Sequence, residues 1–368
     1  MGPPGSGGTK GMPAVAAQTS PLEIVEVTEN GVPELSAFVA RQSHLDAGEV
    51  EAHLRWFLLR NPARDSSTPL GWELRSRDGE LAGCFLCVPQ AFRFRETTFV
   101  LMGSSTFYVD AAHRGAGGML FLKYSRLSSK WPLFGTSANP ESGRLWKARG
   151  AVPIPDTGHE LLGVLNWRPV IEEMSVRRGA GLGLSQWFAG LSSPGLNLAR
   201  RLRSDRREWA DLVPLTSSDQ VMDLGLSAAP ESLSAVRDRQ YIEWRYFQRK
   251  GRAEVFAVRG KAGDTLLAVN RQARGYRNQI RALNVLDVYP RASPEVCSLI
   301  VSLLVERYHG QADMIVFRGQ NQAQQDSLRR LGFLRREFEA PCGWMLDKSR
   351  LLPASDWYLV PADGDWIL

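Results

Sequence analysis

The spacing of apolar positions changes several times along the chain, and each change marks an element. Residues 22–27, LEIVEV, alternate apolar and polar as a half-buried strand does. Residues 33–40 and 47–59 switch to helical spacing, with Leu54, Phe57 and Leu58 forming an apolar stripe. Residues 71–75 and 81–88 return to strand character around an Asp78-Gly79 turn, the signature of a hairpin. Residues 91–99 and 102–109 extend it into an antiparallel meander. The stretch 107–119, FYVDAAHRGAGGM, then reads strand, glycine-rich loop, helix, and the helix runs to about Lys130. A short strand at 133–136 precedes an Asn139-Pro140 turn. A short helix with Leu145 and Trp146 inward follows, then a stop at Gly150, and residues 161–170 close the unit. This alternation is that of a mixed α/β sheet protein.

The glycine-rich loop carries the first chemistry. Gly115, Gly117 and Gly118 would let the backbone approach a ligand closely. The helix start behind them has unpaired N–H groups and partial positive charge, which favour a phosphate or pyrophosphate.

From about residue 209 the pattern recurs. Tyr241-Ile-Glu-Trp244 resembles His53-Leu-Arg-Trp56, residues 253–270 repeat the hairpin, and 280–289 repeat 98–109. Residues 294–308 match the helix, and 314–333 match 134–150. Trp56 to Asn139 is 83 residues and Trp244 to Asn321 is 77, so the spacing agrees. The loop is not repeated. Tyr289-Pro-Arg-Ala-Ser-Pro294 offers no glycine, and its two prolines each remove an N–H. Trp56 and Trp244 are expected to be core aromatics.

Composition narrows the class. The 368 residues are 43% hydrophobic and 23% charged, as in a globular protein of two domains. A net charge of +6 is too diffuse for a nucleic-acid surface and suits an enzyme whose co-substrate carries several phosphates. No apolar run is long enough to span a bilayer, and the start lacks the pattern of a secretory signal, so a cytoplasmic protein is expected. Cys84 and Cys87 sit in an apolar strand-like run without a second Cys/His pair, and read as buried structural thiols. Residues 1–20, rich in Gly, Pro, Ser and Ala, read as a disordered tail. Residues 169–208 have basic clusters at both ends, including Arg200, Arg201 and Arg203, and read as a basic linker with one helix. Contact with a membrane surface is the alternative there.

The loop and the Asn139 stretch together resemble the GNAT family of acyl-CoA N-acyltransferases. Arg114-Gly115-Ala116-Gly117-Gly118-Met119 is similar to the family's pyrophosphate loop, and residues 139–150 are similar to its Asn-x-x-Ser…Leu-Tyr…Gly-Phe element. Met119 departs from the family's Gly or Ala. Trp146 replaces a Tyr that often serves as general acid, which leaves the acid unassigned.

The resemblance implies an α/β fold of two tandem GNAT folds, each a mixed, mostly antiparallel sheet flanked by helices. One would cover 21–168 with the intact loop, and a degenerate one would cover 209–368. It implies acetyl-CoA or another acyl-CoA as co-substrate, with its phosphates on residues 114–119. Asn139 and Ser142 would contact the pantetheine and adenylate side. A backbone N–H at about Tyr108 or Val109 would polarise the thioester carbonyl as it gains negative charge. The amine acceptor, a small molecule or a peptide, would enter the groove between the domains.

No base is evident. His113 reads as structural, Asp110 as a turn cap, and Glu141 as a helix-start charge. The rival readings are a non-catalytic acyl-CoA-binding or regulatory protein and an acyltransferase of envelope polysaccharide synthesis.

Overall fold

The computed structural model describes residues 22–177 and 211–364, apart from 228–231, 250, 262, 276–278, 351 and 354. The expected tail at 1–20 and the basic run at 200–203 lie outside the described residues, as does most of the expected linker.

Among the described residues the strands form two sheets. The first contains β1 (Glu23–Glu26), β2 (Gly71–Arg75), β3 (Leu81–Phe94), β4 (Thr97–Val109), β5 (Leu133–Gly135) and β6 (Val152–Pro153). The second contains β7 (His159–Val164), β8 (Asp211–Leu215), β10 (Glu254–Gly260), β11 (Gly263–Arg274), β12 (Ile280–Tyr289), β13 (Met314–Arg318) and β14 (Leu334–Glu337). β15 (Trp344–Leu346) returns to the first sheet, while β9 (Leu233–Ala235) and β16 (Trp357–Tyr358) pair beside β3.

The strand orders are β1-β2-β3-β4-β5-β15-β6 and β8-β10-β11-β12-β13-β7-β14. They match position for position. Along these orders each sheet is antiparallel except for one parallel junction, β4 with β5 and β12 with β13, and the side pair β9 with β16 is parallel too. The sixth place in each is filled by a strand from the other half of the chain. β7, expected to close the first unit, instead pairs with β13 and β14, and Leu161 is buried in the second core.

The expected break between 88 and 91 is absent. β3 runs unbroken through Pro89, and the turn falls at Arg95, with φ of 53°. Pro89 is tolerated because Met102 opposite it directs its N–H to Pro132, away from β3. The proline's missing donor therefore faces the edge beyond the end of β2 at Gly71.

α1 (Val32–Ser43) and α2 (Ala47–Leu54) fall where their apolar stripes place them, and α2 runs into a π-helical turn, Arg55–Leu59. The second half has the same π turn at Glu243–Phe247. The two turns pack together in one apolar core. Trp56 Nε1 donates to the Trp244 carbonyl at 2.8 Å, Trp244 Nε1 donates to the Trp56 carbonyl at 3.0 Å, and the rings stack 5.1 Å apart. Both are buried core aromatics, as their spacing predicts. Cys84 and Cys87 are buried in β3, and burial pushes the Cys84 thiol up to about 12. No helix among the described residues is long and apolar enough to cross a membrane.

Candidate functional site

The parallel junction of the first sheet creates an opening. β5 pairs with β4 only at Met102 and Gly103, so the two strands part beyond that point. On its other side β4 stays paired to β3, with a bulge that sets Thr106 and Phe107 against Phe85. Thr106 has a φ of 47°, a conformation a threonine adopts only under local constraint. Past the bulge, Asp110 N–H donates to the Ala82 carbonyl at 2.9 Å. Alternation along the strand then turns the N–H of Val109 away from β3 and into the opening. By the same alternation Tyr108 directs its N–H to β3.

The loop lies beside this opening. Residues Ala111–Ala116 form 3-10 turns, and α3 (Gly117–Ser125) begins without any side-chain cap. A Cβ at Gly115 or Gly118 would meet no protein atom within 4 Å, and neither residue has positive φ. The fold itself does not require glycine at either place. Gly117 differs, since a Cβ there would lie 3.3 Å from the Phe107 ring. Asp110 makes no cap bond, contrary to expectation; its carboxylate accepts from the Gln42 side chain, which ties α1 to the loop.

Opening and loop form one end of a groove of about 1410 Å³. Of the residues singled out in the sequence, Tyr108, Val109, Arg114, Gly115, Gly117, Gly118, Asn139 and Ser142 line it. Ala116 packs against the first core instead, and Met119 is 42% exposed outside the lining. Asn139 and Ser142 also have a structural task. The Asn139 side chain caps α4 (Pro140–Ala148), accepting from the Ser142 N–H at 2.8 Å. Trp146 is buried against Phe121 and Tyr124 at the groove floor. His53 bonds Arg249 outside the groove, and burial with the neighbouring arginines holds its pKa well below the ordinary imidazole value. The carboxylates in the lining are Glu141 and Glu339, both exposed.

The opposite wall comes from the second half, with Gln272, Arg274, Asn284 and Arg318. Sequence reading missed these, because nothing local marks them. The visible signal was Glu160, a carboxylate inside an apolar strand that must find cations when buried. Its partners are Arg274 at 3.3 Å, Arg318 at 2.8 Å and Arg336 at 2.6 Å. Burial works against ionisation of Glu160, but these three guanidinium groups outweigh it and hold the pKa below the ordinary value.

The corresponding opening in the second sheet, between β12 and β13, is filled. Tyr358 donates to the Val288 carbonyl, and Arg291 lies 4.8 Å over the Tyr358 ring. A Cβ at Gly319, whose φ is 72°, would collide with the Leu359 carbonyl. The helix that follows, Pro294–Arg307, is capped by Ser293, which accepts from the Val296 N–H at 3.3 Å. One helix start is capped by a side chain and the other is not.

No family model and no curated protein matches the chain. Solved structures do. A conserved protein of Enterococcus faecalis V583, described as a probable N-acyltransferase, superposes with a TM-score of 0.58 at 9% identity, over 89% of this chain and 72% of that one. Saccharomyces cerevisiae N-myristoyltransferase with bound myristoyl-CoA gives 0.52 at 12% identity, over 92% and 80%. An acetyltransferase-like protein of Pyrococcus horikoshii gives 0.51 at 12% identity, over 92% and 94%. Two mostly antiparallel sheets flanked by helices, each with a parallel junction at its splayed strand, are thus the acyl-CoA N-acyltransferase (GNAT) fold, and this chain has it.

Proposed function

We propose that the chain is an acyl-CoA-dependent N-acyltransferase built from two tandem GNAT units, with acetyl-CoA or another acyl-CoA held by the first. The observation that carries this reading is the start of α3, which no side chain caps and which is lined by two glycines that the fold does not need. Amides at the start of α3 from Gly118 onward would take the pyrophosphate, since the Gly117 N–H is held by the Arg114 carbonyl, and Arg114 would add charge at the mouth. The Val109 N–H, facing the opening, is placed to receive the thioester oxygen as it gains negative charge. Acyl-CoA supplies the electrophilic carbon. The acceptor nitrogen bonds to that carbon, the C–S bond breaks, CoA leaves with its sulfur, and the amine's proton passes to solvent or to the sulfur. The likeness to an N-myristoyltransferase that holds myristoyl-CoA supports the choice of co-substrate class. The filled opening and capped helix of the second half support a second unit that shapes the acceptor side and holds no CoA.

The second reading is an acyl-CoA-binding protein without transfer. The burial of Trp146, where the family often has its acid, favours it. Calorimetric titration with CoA, followed by acceptor-dependent release of CoA thiol across a panel of amines, separates the two. Binding with release supports the enzyme, binding without release on any amine supports the sensor, and absence of binding overturns both.

A further inference from the structure

The wall facing the cofactor end of the groove is charged in a way that the acyl-CoA reading does not use. Glu160 is fully buried, and its two oxygens are shared by Arg274, Arg318 and Arg336 at 2.6 to 3.3 Å. Among the described residues one carboxylate faces three guanidinium charges, so these four side chains together carry a net charge of about +2. Counting the exposed Glu339, which also lines the groove, still leaves an excess of positive charge among these described side chains. The cluster is held in place by the sheet. Arg318 of β13 and Arg336 of β14 are the direct cross-strand neighbours of Glu160, and Arg274 reaches it from the end of β11. Two of the three arginines, Arg274 and Arg318, line the groove, while Arg336 does not.

Stability does not explain three arginines here. A single carboxylate needs one bidentate partner, and each further buried or half-buried guanidinium adds desolvation and like-charge repulsion. Burial lowers the pKa of Arg318 against the pull of Glu160. Beside the arginines stand neutral hydrogen-bonding groups. Asn284 Nδ2 donates to Asn270 Oδ1 at 3.0 Å and to Gln272 Oε1 at 3.3 Å, and Asn284 and Gln272 line the same wall. A polar wall with excess positive charge, facing a helix start suited to a polyphosphate, makes the groove a site for two anionic ligands.

We propose that the acceptor amine carries an oxyanion group, carboxylate or phosphate, which Arg274 and Arg318 bind on the wall opposite the acyl-CoA loop. This rests on the acyltransferase reading for the word acceptor, but the anion site itself is testable without turnover.

The first experiment measures thermal unfolding in the presence of saturating CoA, with succinate and inorganic phosphate titrated as separate probes. The proteins are the full chain, Arg274→Gln and Arg336→Gln. Arg274 is chosen over Arg318 because it is less buried and its loss leaves Glu160 two partners. A saturable rise in unfolding temperature is expected with one of the probes. It should weaken about tenfold in apparent affinity in Arg274→Gln, as expected for one charge-assisted hydrogen-bonding group, and persist in Arg336→Gln. A response to succinate assigns a carboxylate, and a response to phosphate alone assigns a phosphate. No response to either probe, or an equal response in Arg274→Gln, overturns the proposal.

The second experiment measures CoA release with matched amines, α-amino acids against their amides and phosphoethanolamine against ethanolamine. The anionic member should be favoured about tenfold in kcat/KM, and Arg274→Gln should erase the preference while leaving calorimetric CoA binding unchanged. Turnover without preference for the anionic member also overturns the anion site. Failure of CoA to bind overturns the acyltransferase reading and leaves the probe titration, repeated without CoA, to decide the anion site.

Discussion

Replacing Gly118 by Ala separates what the fold needs from what a ligand needs. Gly118 is in the first turn of α3, its φ is not positive, and an added Cβ would meet no protein atom within 4 Å. Alanine in a helix is favoured over glycine by up to about 1 kcal/mol, so Gly118→Ala should leave stability unchanged or raise it. In a chain of this length that gain corresponds to roughly 1 °C in Tm. The methyl group would stand where the pyrophosphate must approach. Loss of one charge-assisted hydrogen bond costs about 1.5–3 kcal/mol, or roughly 10- to 150-fold in Kd. Isothermal calorimetry with CoA, run beside thermal unfolding on both proteins, reads the two effects separately. CoA binding within about twofold of wild type at unchanged Tm would refute the placement of the phosphates. A marked loss of stability would refute the claim that the fold tolerates a side chain there.

Three further outcomes follow from buried contacts. A Cβ at Gly163 of β7 would collide with the Phe333 ring; Gly163→Ala should cost about 1–3 kcal/mol in urea unfolding, and the addition of Phe333→Leu should recover part of it, whereas strict additivity would deny the contact. Arg237 is buried between Asp287 at 3.1 Å and Asp363 at 2.8 Å, so Arg237→Met leaves two buried carboxylates and should cost about 3–5 kcal/mol or abolish folding; a loss below 1 kcal/mol in the same assay would contradict the pairing. Burial, reinforced by Asp287, outweighs Arg237 and pushes the Asp363 carboxyl up to about 6. An acid raised in the folded state keeps its proton longer there than in the unfolded chain. Stability therefore falls as pH rises from about 3.9 to about 6, by on the order of 2–3 kcal/mol, and is level above. Asp363→Asn should remove that slope in unfolding measured from pH 4 to 7, and an unchanged slope would place the titration elsewhere.

The parts of the site that were legible in the sequence are those built from neighbours in sequence. Arg114 to Gly118, Val109, Asn139 and Ser142 belong to one strand-loop-helix and one turn-helix, and turn chemistry with helical periodicity places such pieces. Tyr108 lines the groove, but the N–H facing the opening belongs to Val109, since β-strand alternation admits only one of two successive residues. The bulge at Thr106 and Phe107 was hidden, because no glycine or proline marks it. The opposite wall was hidden for a different reason. Arg318 lies 158 residues from Glu160 and Arg274 lies 114 away, and the alternation that identifies a strand says nothing about which sheet receives it. His159-Glu160 in an apolar run was a clue to distant cations but not to their identity. The repeat analysis could not show that Tyr358 fills the second opening.

The exchange of β7 and β15 makes a stronger demand than the sequence repeat does. Two tandem units suggest two pieces that fold alone, yet each sheet takes its sixth strand from the other half of the chain. Residues 22–177 alone would lack β15, the bridge between β5 and β6, and with it Trp344 and Leu346 of the first core. The same fragment would expose Leu161 and Val164, which are buried in the full chain. Trp56 would lose the carbonyl partner and the stacking ring that Trp244 supplies. Unburying Leu161, Val164 and Trp56 at about 1.5–3 kcal/mol each, with the packing of Trp344 and Leu346 lost besides, costs on the order of 10 kcal/mol, comparable to the whole stability of a domain. The fragment should therefore be unfolded or aggregated by circular dichroism and should not bind CoA. Co-expression with residues 211–368 should restore both properties. A first half that folds cooperatively alone and binds CoA as the full chain does would show the exchange to be dispensable, and would move the second half from a wall of the site to an accessory.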